Sequence, residues 1–149
     1  MSMSHAEPYD LQRFDRAQEN SYQQALLELE RGRKQSHWMW YIFPQLDGLA
    51  SSSMSRFYAI KSVDEARAYR EHPVLGRRLS QCAEAILTVE GKSATEILGS
   101  PDDLKLKSCA TLFAHVSESG SVFDRILEKF YAGERDAATL RLLESGRGR

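Results

Sequence analysis

The 149-residue chain carries 20 basic and 21 acidic side chains, a net charge of −1. That balance gives no electrostatic reason to expect nucleic acid, whose binding rests on many lysines and arginines meeting phosphates. With 42% hydrophobic and 28% charged residues, the composition is that of one soluble globular domain, long enough to bury a core without disulfides or metals.

Residues 1–8, which include His5, are expected to be a flexible tail. They have neither the basic start nor the apolar stretch of a secretory signal, and no run of the chain is long enough to span a bilayer. A cytoplasmic location away from membranes is therefore expected. A short helix is expected at 9–18. Ala25, Leu26 and Leu29 mark another at 21–31, opened by the capping-box pattern Ser21-x-x-Gln24 and closed by Gly32.

The segment from Lys34 to Gln45 follows, with both tryptophans of the chain, Trp38 and Trp40, beside His37. Seven apolar or aromatic residues ending at Pro44 would suit a buried strand. A strand needs a partner, however, and no other segment alternates, so a short helix capped by Ser36 is predicted. Residues 44–53 form the longest loop, and the serines at 51–53 stand where they can cap a helix carrying Phe57 and Tyr58.

Ser62-x-x-Glu65 opens a helix at 63–71, and its capping role alone suffices to explain Glu65. His72 and Pro73 introduce a helix at 73–90, along which Leu75, Leu79, Cys82, Ile86 and Val89 recur at three and four. Ser93-x-x-Glu96 opens a short helix at 94–98. Ser100-x-x-Asp103, with Pro101 in the first turn, opens one at 101–117 bearing Leu106, Cys109, Phe113 and Val116. Ser121-x-x-Asp124 opens 122–132, and a last helix falls at 137–144 before a Gly-rich basic tail at 145–149. The pattern predicts an all-α fold: a single compact domain of about seven to nine helices over residues 9–144.

Cys82 and Cys109 lie in apolar helical patterns and form no CxxC, so they read as core residues of a reducing compartment. The histidines show no metal-ligand spacing, and neither a metal nor a cofactor is expected.

The aromatic segment is the place to look for a site. In a helix, His37, Trp40 and Tyr41 share one face, while Trp38, Ile42 and Gln45 lean to another. Met39, Ile42 and Phe43 suit a core. The indoles and the imidazole need hydrogen-bond partners if buried, which either an internal network or a ligand can supply. Lys34 and Gln45 flank the segment, so Lys34, Trp38, Trp40, Gln45 and Tyr58 are the candidate ligand-binding residues.

Asp102 lies on the stripe of Leu106, Cys109 and Phe113 and should point inward. It then needs a partner such as Lys105, Arg77, Arg78 or His37. Either a structural ion pair or an acid–base group fits. His37, Asp102, Asp103 and Lys105 are the candidate catalytic residues.

Several stretches, taken together, resemble a bacterial family known only as domain of unknown function 1810. They include Arg33-Lys34, His37-Trp-Met-Trp40, Ile42-Phe-Pro-Gln45, Tyr58-Ala-Ile60, His72-Pro-Val-Leu-Gly76, Arg78-Leu79 and Pro101-Asp-Asp103. The resemblance runs from about Leu11 to Leu143 and implies a compact, mostly helical single-domain protein. It supplies no catalytic residues. Some members carry a calpastatin label, but nothing here resembles that long, largely disordered inhibitor. Where the family pattern leads one to expect a second serine after Ser108, this chain has Cys109.

Two functional readings remain. One is a site for a nucleotide-like or sugar-like small molecule, with metal-independent hydrolysis or group transfer as its chemistry. The other is a non-catalytic module that uses the aromatic segment to dock a peptide or a second copy of itself.

Overall fold

The computed structural model, which describes residues 8–145, has ten helices, most of them built on three-and-four spacing of apolar residues. They are α1 (Gln12–Glu19), α2 (Tyr22–Arg31), α3 (Met39–Ile42), α4 (Ser53–Phe57), α5 (Val63–Glu71), α6 (Leu75–Leu87), α7 (Ala94–Leu98), α8 (Asp102–His115), α9 (Val122–Tyr131) and α10 (Ala137–Glu144). The all-α single domain is as predicted, with ten helices against the seven to nine expected. His5 and most of the two expected tails lie outside the described residues.

α8 and α6 are the axis of the fold. Residues 108–114 of α8 are buried without a break, so this helix is apolar nearly all round and sits centrally. It packs against α9, α7, α10 and α5, while α6 packs against α2, α5 and α9. Phe14, Tyr69, Phe113 and Phe123 form a chain of ring contacts through the interior, at centroid distances of 5.0, 5.5 and 5.6 Å.

No strand occurs among the described residues. Leu46 and Ile60 make one isolated parallel bridge, in which Ile60 N–H donates to Gln45 O and Asp47 N–H to Ile60 O, both at 2.8 Å. This bridge pins the long loop beside the segment that follows α4.

The capping pattern holds in part. Ser93 and Glu96 form a complete capping box, and Ser62 and Ser121 each accept the third amide of their helix. Ser52 caps α4 in the same way. Ser21, Ser36 and Ser100 do not cap. The Ser21 hydroxyl instead meets the Tyr41 hydroxyl at 3.0 Å, and that of Ser36 donates to Glu28 at 2.6 Å. The backbone therefore stays non-helical through Trp38, and α3 begins at Met39. His72 Nδ1 accepts the amides of Val74 and Leu75, each at 3.1 Å, and so closes the start of α6.

Candidate functional site

The aromatic segment is built around a carboxylate from another helix. Glu28 lies on the buried face of α2 with Ala25 and Leu29. Residues 33–38 wrap around it because its two oxygens collect their donors. Oε1 accepts the amides of Gln35 (2.8 Å) and Ser36 (3.0 Å) and the Trp38 indole N–H (2.9 Å). Oε2 accepts the Ser36 hydroxyl (2.6 Å) and the Gln24 amide (2.8 Å). Burial pushes the Glu28 carboxyl upward in pKa, but this set of donors outweighs it and holds the group at about 2. The Trp38 indole is thus 1% exposed and fully satisfied from inside the protein.

Lys34 is also spent on the fold. Its amide donates to Ile97 O (2.7 Å), and its ammonium donates to Ser36 O (2.6 Å), pairs with Asp102 Oδ2 (3.0 Å) and lies 5.0 Å from the Trp38 ring centroid. The other oxygen of Asp102 faces the Lys105 ammonium at 3.5 Å, which in turn lies 5.5 Å from the Trp40 ring. Lys34, Trp38, Trp40, Asp102 and Lys105 therefore form one cluster. Lys105 was among the partners expected for Asp102, whereas Lys34 was not.

Asp103 accepts the Thr95 hydroxyl at 2.5 Å and its neighbour's amide, Leu104 N–H, at 2.9 Å. Its backbone oxygen accepts the Tyr131 hydroxyl. His37 is exposed; its imidazole makes no hydrogen bond or ion pair among the described residues, and nothing joins it to Asp102 or Asp103.

Trp40, Gln45 and Tyr58 come from three segments and meet in one recess, together with Gly48, Leu49 and Ser55. The Leu46–Ile60 bridge is what brings Gln45 beside Tyr58. The recess has a volume of about 10 Å3, room for about one water. α4 supplies Ser55 to its wall; this helix contributes no buried residue and leaves Met54 and Phe57 exposed. Burial, and then the neighbouring Tyr41, push the Tyr58 phenol above its ordinary value, so it is a neutral donor at pH 7.

A second buried hub went unnoticed in the sequence. All five N–H groups of Arg13 are used: they donate to the backbone oxygens of Phe57, Tyr9, Asp10 and Ala59 at 2.7–2.9 Å and to Glu65 Oε2 at 2.9 Å. Glu65, 1% exposed, also accepts the Lys61 amide at 2.8 Å. It is thus more than the capping residue expected. The available signal was position: Arg13 adjoins Phe14, and Glu28 falls three residues after Ala25, so both charges stood on or beside apolar faces.

Among the described residues no group of three or more histidines, cysteines or acids could hold a metal ion, and no helix is long and apolar enough to cross a membrane. Cys82 and Cys109 are free and buried.

These features define a helical single-domain protein whose loops are keyed by the buried charges of Glu28 and Arg13. The chain belongs to the family described as protein of unknown function (DUF1810), whose model matches residues 8–143. It is similar to the conserved hypothetical protein Rv1873 of Mycobacterium tuberculosis, known from a crystal structure. The two are 46% identical, with a TM-score of 0.90, over 91% of this chain and 97% of that one. No curated protein matches the chain.

Proposed function

We propose that the protein binds a small polar molecule with a flat face, nucleoside-like or sugar-like, in the recess of Trp40, Gln45 and Tyr58. One observation carries this reading. The indole N–H of Trp40, the side-chain amide of Gln45 and the hydroxyl of Tyr58 make no hydrogen bond among the described residues, although they share one recess. Polar groups left uncommitted at a partly buried site are available to a ligand. Lys105, held by Asp102, lies 5.5 Å from the Trp40 ring centroid and adds positive charge beside that ring. Entry requires α4 to move. That motion uncovers little apolar surface, because α4 buries none of its own side chains, and it is confined to the start of α4, because Arg13 holds the Phe57 oxygen at 2.8 Å.

Binding is favoured over turnover in this reading. Both oxygens of Asp102 are engaged by lysines, and His37 has no partner to orient it. A docking role for the aromatic segment is disfavoured because Trp38, Met39, Ile42 and Phe43 are each at most 2% exposed.

Thermal unfolding in the presence of nucleosides and of monosaccharides tests the proposal. A ligand at a hundred times its Kd should add about 2.7 kcal/mol of stability. Gln45→Ala and Trp40→Ala should remove the shift, and His37→Gln should keep it. If neither ligand class shifts the transition, or the shift survives Gln45→Ala and Trp40→Ala, the recess is not a binding site.

A further inference from the structure

A groove lined by charged side chains lies away from the aromatic segment. It has a volume of about 570 Å3 and runs between the α5–α6 corner and the loop leading into α9. Three guanidiniums, Arg70, Arg77 and Arg125, line it against two carboxylates, Glu84 and Glu118. Arg125 is taken by Glu84 at 2.5 Å. The side chains of Arg70 and Arg77 make no hydrogen bond or ion pair among the described residues, and both are exposed.

The opposite wall is the run Ser117-Glu-Ser-Gly-Ser121. The Ser117 hydroxyl is buried and has no partner there. A buried hydroxyl without a partner is costly, and a ligand oxygen or water would relieve it. A second cavity, of about 500 Å3, shares Arg77, Ser80 and Glu84 with the groove and continues over Leu26 and Ala85 along α2 and α6.

The corner that presents the two free arginines is closely packed. A Cβ on Gly76 would lie 2.0 Å from the Arg70 backbone oxygen, so α6 begins in direct contact with the end of α5. Arg70 sits on one side of that contact and Arg77 immediately follows it. Guanidinium groups suit a multivalent oxyanion, because their planar forks match phosphate oxygens and lose less freedom per hydrogen bond than an ammonium does.

We propose that this groove binds a phosphate monoester with an apolar substituent. Arg70 and Arg77 hold the phosphate, the Ser117 side chain turns into the groove to donate to it, and the apolar group lies over Leu26 and Ala85.

The test is a titration of the 15N-labelled protein with inorganic phosphate and then with phenyl phosphate, at constant ionic strength. Both should give saturable amide shifts at residues 117–123. Phenyl phosphate should extend them to 85–88 and bind about tenfold tighter. Arg70→Gln combined with Arg77→Gln should weaken both ligands by about tenfold per guanidinium. Arg67→Gln, on the same helix but paired with Asp64, should bind like the parent. Both groove arginines are exposed, so the double variant keeps its fold, and its amide spectrum verifies that. Unsaturable or scattered shifts, shifts centred on Gln45 and Tyr58, or full affinity in the double variant would overturn the proposal. Equal affinity for the two ligands would overturn its apolar half.

Discussion

At the scale of single residues, buried carboxylates decide more than the aromatic rings beside them. Glu28 has a folded value of about 2 against an ordinary value near 4.5, so its charged form is favoured in the folded state by about 3 kcal/mol. A depressed carboxylate stabilises above its unfolded value and loses that contribution as pH falls through its folded value. The full contribution is therefore present above about pH 4.5 and fades toward about pH 2. Glu28→Gln should destabilise the protein by about 3 kcal/mol at neutral pH, since the new amide N–H groups oppose the donors of Ser36 and Trp38. It should also flatten the dependence of stability on pH between about 4.5 and 2. Urea unfolding at a series of pH values reads both effects. An unchanged acid limb would mean that Glu28 is not held as described.

At the scale of elements, contacts between helices outrank the signals that start and stop them. The α7 capping box is complete, and Ser93→Ala should cost about 1 kcal/mol. Gly76→Ala touches no cap, yet its new methyl would collide with the Arg70 carbonyl, which is backbone and cannot rotate away. The α5–α6 corner would have to open, at a cost of about 3 kcal/mol. Denaturation midpoints should therefore rank Gly76→Ala well below Ser93→Ala. The reverse order would mean that the corner is loosely packed.

For the whole molecule, the two cysteines report how tightly the core closes. Burial pushes the Cys82 thiol up to about 12 and the Cys109 thiol well above its ordinary range. Both sit on the central helices α6 and α8. Neither should react with a thiol reagent at neutral pH until the protein unfolds, and then both should react together. Rapid labelling of one cysteine in the native state would show that α6 or α8 opens locally.

The local pattern of the chain determined the all-α class, most helix boundaries to within two residues and part of the core. Helix periodicity and end signals depend on neighbours within a turn, and those neighbours are written in order. The aromatic segment was also recognisable as an unusual place, because indole and imidazole groups demand partners wherever they lie. Only the tertiary structure decided who those partners are. Glu28, ten residues upstream, satisfies Trp38, Asp102 ties Lys34 to Lys105, and the Leu46–Ile60 bridge sets Gln45 beside Tyr58. Arg13 and Glu65 meet across 52 positions of chain, and Arg70 and Arg77 face a loop some forty residues further on. Hydrogen bonds and ion pairs act over about 3 Å of space, whatever the separation along the chain, so spacing in the sequence cannot choose among their partners.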